Sequence, residues 1–160
     1  MPKQKSALDV LHEDHEKIQH LLERLEGTSE RGKKTREKLL EEIHRELEVH
    51  TAIEEEIVYP AVREAADDHD GEQMHFEFIE EHYLAGEVEL PRALELDAES
   101  IDFTARCVVL KELVTHHIEE EESRMFSRAR ELFDDEQLAS LGSRILERKK
   151  ELMRELKKAA

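Results

Sequence analysis

The sequence predicts an all-α protein: an up-down-up-down four-helix bundle with an additional C-terminal amphipathic helix. Three observations carry that expectation. Charged residues make up 41% of the chain against only five glycines and three prolines, a composition that suits long helices. Apolar side chains recur at alternating spacings of three and four through four separate stretches, which marks one face of a helix each time. The pattern also repeats inside the chain: Ile43 and Leu110, Leu47 and Val114, Tyr59 and Phe126 all lie 67 positions apart (110 − 43, 114 − 47, 126 − 59). At 160 residues the chain supports one core. The expected division is a bundle over 1–134 and a C-terminal helix over 135–160 packed on it.

The first helix runs from Ala7 to Glu26, with Leu8, Leu11, His15, Ile18, Leu22 and Leu25 on its stripe. Ser6, with Asp9 three residues on, is its N-cap, and Gly27-Thr28-Ser29 ends it. A second helix begins between Glu30 and Thr35 and reaches about Ala66, carrying Leu40, Ile43, Leu47, His50, Glu54, Ile57 and Ala61. Pro60 should kink it near its end, because the ring removes a backbone donor. Residues 67–71, Asp-Asp-His-Asp-Gly, then read as a loop. The third helix, from about Glu72 to Leu94, aligns Phe78, His82 and Ala85, with Val88 alongside. The fourth presents Phe103, Cys107, Leu110, Val114, His117, Glu121 and Met125 and ends near Phe133. Asp134 and Asp135 open a shorter fifth helix with Leu138, Leu141, Ile145, Leu152 and Leu156. Short connections between the first four turn their stripes inward on a common interior.

A net charge of −17 repels phosphates, so neither nucleic acid nor an anionic membrane is expected as a partner. The fifth helix, with seven basic and five acidic residues over 135–160, is read as a lid on the acidic bundle or a contributor to a homodimer. Monomer and dimer both stay open. Cys107 is alone, falls on an apolar stripe and is expected to be an inert core thiol. The opening MPKQKSALDV lacks a signal peptide's apolar stretch, and no run approaches the roughly 18 apolar residues of a membrane span. A cytoplasmic location is the expectation.

Polar residues interrupt the stripes in a regular way. His15 and His82, His50 and His117, Glu54 and Glu121 share the same 67-residue offset (82 − 15, 117 − 50, 121 − 54). His50 and Glu54, like His117 and Glu121, are His-x-x-x-Glu pairs whose i,i+4 spacing places both side chains on one face, about 6 Å apart along the axis. His15 and His82 add one imidazole each from the other helices. Two metals in one pseudo-symmetric site follow, with His15, His50, Glu54, His82, His117 and Glu121 as ligands. A lone histidine on an apolar stripe is usually an ordinary core residue, but here that reading must hold six times. Burying Glu54 and Glu121 without cations would cost on the order of several kcal/mol each. Imidazole with carboxylate suits iron, manganese or zinc. There is no His-Glu-x-x-His, no cysteine pair for zinc and no phosphate-binding glycine loop.

These residues resemble the hemerythrin-like family, the HHE cation-binding domain, and in particular its bacterial stand-alone members. The likeness spans about residues 7–133. It rests on Asp14-His15, on His50-Thr-Ala-Ile-Glu54-Glu55-Glu56-Ile-Val-Tyr59-Pro60-Ala61, on Glu81-His82, and on His116-His117-Ile-Glu-Glu-Glu121-Glu122 with Phe126. The resemblance implies a non-haem diiron centre of two iron ions, bridged by Glu54, Glu121 and an oxo or hydroxo group, with manganese or zinc as lesser alternatives. Two departures stand out. Oxygen-carrying members supply a further histidine one turn before His82, where this chain has Phe78, and Ser127 replaces a common proline.

With two histidines per iron, the two carboxylates and the oxygen bridge, each metal would keep one open position. The leading expectation is reaction with small oxygen species, hydrogen peroxide disproportionation being the sharpest version. The alternatives are reversible binding of O2 or NO for storage, delivery or sensing, and iron buffering. Ala85 and Gly86, one turn past His82, are small enough to leave room for a substrate or simply to let helices pack. His75 is about 10.5 Å along the axis from His82 and stands apart. His12 and His116 flank the ligands. Tyr59, near the Glu54 turn, and Tyr83, next to His82, lie off the stripes and could approach the metals only if their helices were rotated or kinked.

Overall fold

The computed structural model describes residues 4–160, and among these every element is a helix. Helix α1 spans Ala7–Glu26. Helix α2 covers residues 33–66 as Lys33–Ile53, a π turn at Glu54–Val58, and Tyr59–Ala66. Helix α3 covers 69–94 as His69–Tyr83, a π turn at Leu84–Glu89, and Leu90–Leu94. Helix α4 covers 101–132 as Ile101–Glu120, a π turn at Glu121–Met125, and Phe126–Leu132. Helix α5 spans Asp135–Ala159.

The expected caps are in place where the sequence put them. Ser6 and Asp9 form a capping box on α1, and Asp134 pairs with Gln137 in a second on α5; Ser100, not among the expected caps, accepts from the Phe103 N–H to start α4. Three expectations need correction. The loop after α2 is only Asp67 and Asp68, because Asp68 accepts the Gly71 N–H and opens α3 at His69 rather than at Glu72. Asp67 supplies the sharp reversal from a left-handed backbone, φ 46°. The fifth helix is shorter than α2, α3 and α4 but not than α1, whose 20 residues its 25 exceed. The bend at Pro60 takes the form of a π turn that leaves Pro60 in the first turn of the following α segment, where its missing donor costs no bond. Pro91 follows the π turn of α3 in the same way, whereas α4 makes its π turn with Ser127 and no proline.

The π turns change the register of the stripes. In α2 the buried face passes from Ile53 and Glu54 to Val58, Tyr59 and Val62, so the expected Ala61 is only partly covered. In α4 Phe126 joins Met125 inside. Two apolar clusters result. One gathers Leu11, Ile53, Ile57, Phe78, Met125 and Phe126 with Leu138, Leu141 and Ile145 of α5. The other holds Ile18, Leu22, Leu40, Ile43, Leu90, Phe103, Leu110 and Val114. A layer of buried polar residues lies between them: Asp14, His15, His50, Glu54, His82, His117 and Glu121.

Helix α5 packs along α1 and α2, including the Glu54–Val58 turn. A Cβ on Gly142 would stand 2.3 Å from the Lys5 carbonyl oxygen, so only glycine lets α5 approach the start of α1 this closely. No helix among the described residues is long and apolar enough to cross a membrane.

Candidate metal centre

The i,i+4 pairs on α2 and α4 project Glu54 and Glu121 into the middle of the bundle, and both side chains are fully buried. Two groups of four potential ligands form around them. His15 and His50 with Glu54 and Glu121 make the first; His82 and His117 with the same glutamates make the second. The glutamates divide their oxygens between the groups. Glu54 Oε1 is 3.0 Å from His50 Nε2 and 3.7 Å from His15 Nε2, while its Oε2 is 3.1 Å from His82 Nε2. Glu121 Oε2 lies 3.1 Å from His15 Nε2, and its Oε1 lies 3.4 Å from His117 Nε2. Each carboxylate therefore has the geometry of a bridge between two cations. All six residues singled out in the sequence converge here.

A closed ring of carboxylates holds the imidazoles from outside. Asp14 Oδ2 of α1 is 3.3 Å from His50 Nδ1 of α2, and Glu55 Oε1 of α2 is 2.8 Å from His82 Nδ1 of α3. Glu81 Oε2 of α3 is 2.5 Å from His117 Nδ1 of α4, and Glu122 Oε1 of α4 is 2.8 Å from His15 Nδ1 of α1. Since a carboxylate accepts, each Nδ1–H donates outward and each Nε2 turns a lone pair to the centre. Carboxylate–imidazole pairs of this kind fix the tautomer a metal ligand requires.

The donor set fits cations on independent grounds. His15 Nε2, His50 Nε2, Glu54 Oε1 and Glu121 Oε2, all from the first group, are buried without a hydrogen-bond partner among the described residues. In the second group the Nε2 atoms of His82 and His117 are only 2.9 Å apart, two facing lone pairs unless a proton or a metal stands between them. Without metal, protons take that place. Burial alone would lower the imidazole of His15, but Glu121 and Glu54 override it and raise it to about 11. His117 is raised to about 10 against burial by Glu121 and Glu81. Burial would lift Glu54, yet His50, His15 and His82 hold it well below the usual carboxylate range.

One residue that spacing left off the stripe, within reach only if its helix were kinked, is at the centre. Tyr59 is buried with its hydroxyl among the second group, 3.2 Å from Glu54 Oε2, 3.1 Å from His82 Nε2 and 3.3 Å from His117 Nε2, and donating to Glu121 Oε1. The π turn places it there, since five residues from Glu54 to Tyr59 bring both onto one face. Its repeat partner Phe126 instead stacks on His15, ring centroids 6.0 Å apart, and offers no oxygen. Phe78, at the position of the absent fifth histidine, packs edge-on against His117 and beside Tyr59. Tyr83 stays exposed, and neither it nor His75 belongs to either ligand group. His12 joins the ring's edge through Glu122, and His116 stands 3.9 Å from Glu81.

A cavity of about 160 Å³ opens onto the centre at His50, His82 and His117. Ile18, Leu47, Leu90, Val114 and Ile118 wall it, and His44, Glu48, Thr51 and Glu87 lie toward its mouth. Ala85 and Gly86 line it too, and a Cβ on Gly86 would meet nothing within 4 Å.

Fold and site together define a class, helical bundles whose interior carries histidines and carboxylates for metal ions. Residues 6–129 match the family described as the hemerythrin HHE cation-binding domain, and the chain belongs to that family. Its clustered histidines and glutamates fit it as a metal-binding, hemerythrin-like protein. A hemerythrin HHE cation-binding domain-containing protein of Mycobacterium kansasii has a similar crystal structure, with a TM-score of 0.79 and 23% identity over 92% of this chain and 87% of that one. The match supports the helical fold. A protein of Nostoc sp. (strain PCC 7120 / SAG 25.82 / UTEX 2576) named DNA nickase is 26% identical over 129 residues, 81% of this chain. The chain spans only 35% of that relative's length.

Proposed function

We propose that the chain holds two iron ions between His15, His50, His82, His117, Glu54 and Glu121, and that its reaction is the disproportionation of hydrogen peroxide in defence against oxidative stress. The observation that carries the reading is the pair of buried ligand groups sharing both glutamates, reached from outside by a cavity that ends on three of the four histidines. Bound there, the metals supply Lewis acidity and the exchange of two electrons. The overall change balances without an outside reductant: one peroxide yields two electrons and two protons to become dioxygen, and the other takes them and splits into two waters. The protein's residues position what reacts. The outer carboxylates hold each Nε2 inward, and Tyr59 Oη, beside His82 Nε2 and Glu121 Oε1, would offer the second group a further oxygen donor.

The cavity does not select by size. Its volume is close to that of an engineered apolar cavity, about 150 Å³, that accepts benzene. The Nostoc relative's activity is not carried over, since a net charge of −17 disfavours a phosphodiester substrate.

Oxygen release from peroxide by the iron-loaded protein tests the proposal. Glu54→Ala should abolish it, and Tyr59→Phe should keep two irons while lowering turnover roughly 10–100-fold. Turnover no greater than that of free iron would sink the reading.

The apolar walls of the cavity favour a second reading, reversible binding of dioxygen or nitric oxide. It requires that the reduced protein, exposed to oxygen and then degassed, return to its reduced spectrum.

A further inference from the structure

The ring of outer carboxylates repeats around the bundle, but one member differs. Asp14 is the single aspartate and the most enclosed, its side chain 11% exposed against 20% for Glu81, 31% for Glu122 and 41% for Glu55. Its Oδ2 faces His50 Nδ1, and its Oδ1 accepts from Lys149 Nζ of α5. Among the described ion pairs Lys149 is the one lysine or arginine on any carboxylate of the ring; the other outer partners are His12 on Glu122 and His116 near Glu81. The lysine is held in register by its neighbour. Arg148 bonds both oxygens of Glu56 on the π turn of α2, at 2.7 and 3.1 Å, so α5 grips α1 and α2 with consecutive cations.

We propose that Lys149 is a positioning residue for the metal centre: through Asp14 it weakens the donation of His50 and makes the two metal positions electronically unequal. A carboxylate on Nδ1 makes an imidazole a stronger donor toward metal, and stronger donation favours the higher oxidation state. A permanent cation on that carboxylate draws its charge the other way. The position held by His15 and His50 is therefore the easier to reduce. Its counterpart, with His82 and His117, has the Tyr59 oxygen beside it and no lysine or arginine on Glu55 or Glu81 among the described ion pairs. In the half-reduced protein the reduced ion sits on the side of α1 and α5.

The inference rests on the two-iron reading, and the test separates the two. Iron per chain is counted, the two reduction steps are followed by visible absorption against potential, and the half-reduced form is examined by Mössbauer spectroscopy. The unaltered protein should hold two irons, reduce in two resolved steps and show two distinct valences. Lys149→Met should keep both irons while its first step moves to lower potential and approaches the second. Lys149→Arg should restore the separation, and Lys150→Met, an equal charge change on exposed surface, should leave both steps in place. Two irons with unchanged steps in Lys149→Met overturn the role of Lys149 alone, as does an equal shift in Lys150→Met. Fewer than two irons in the unaltered protein overturn the centre and this inference with it.

Discussion

At the scale of single residues, each inward-facing histidine depends on a carboxylate that belongs to a neighbouring helix. Asp14 serves His50, Glu55 serves His82, Glu81 serves His117 and Glu122 serves His15. The four carboxylates were legible in the sequence beside the ligands, but their pairing was not. Asp14 and Glu81, and Glu55 and Glu122, share the 67-residue offset of the ligands themselves (81 − 14, 122 − 55). Each sits directly beside a ligand in the chain yet serves a histidine on another helix, a pairing that spacing along one helix cannot reveal. Removing one partner frees the ring to rotate and to exchange its tautomer. Glu81→Ala should weaken metal binding roughly 10–100-fold with helix content unchanged, as measured by competition with a chelator of known affinity. Affinity equal to that of the unaltered protein would show that packing alone orients His117.

At the scale of elements, the stripe on α1 kept the spacing of three and four throughout, whereas those on α2 and α4 kept it up to Glu54 and Glu121, and that on α3 up to just past His82, before slipping by one residue. The slip is the π turn, whose wider spacing admits an extra residue without breaking the helix. It explains why Ala61 was expected inside and Val62 is found there, and why Tyr59, off the stripe by its spacing, faces the centre. A signal existed in Pro60 and Pro91, each placed just after a turn that forgoes its donor. The fourth helix gave none. The docking of α5 was legible only as amphipathicity, whereas the device that sets its approach is Gly142 against the backbone of Lys5 and Ser6. Adding one methyl there forces backbone apart. Gly142→Ala should destabilise the protein by about 1–3 kcal/mol in urea unfolding, despite alanine's better helix propensity. A gain in stability would mean that α5 can shift outward at no cost.

At the scale of the whole molecule, charge and cavity act on the same traffic. The chain carries −17 overall, and Glu48, Glu81 and Glu87 stand among the residues lining the route to the histidines. An anion approaching that mouth meets a repulsive field that low-dielectric walls concentrate, while a neutral molecule does not. Peroxide, dioxygen and nitric oxide are neutral at pH 7, and azide is anionic. Salt distinguishes them, because the screening length falls from roughly 30 Å at about 10 mM to roughly 8 Å at about 150 mM. Azide should therefore bind the iron-loaded protein faster as salt rises, and the Glu48→Gln, Glu87→Gln double variant should flatten that dependence. Rates for the neutral molecules should stay constant across the same range. Stopped-flow traces at the two salt concentrations decide it: azide rates indifferent to salt would mean that ligands enter elsewhere, through a part of the bundle that the acidic mouth does not guard.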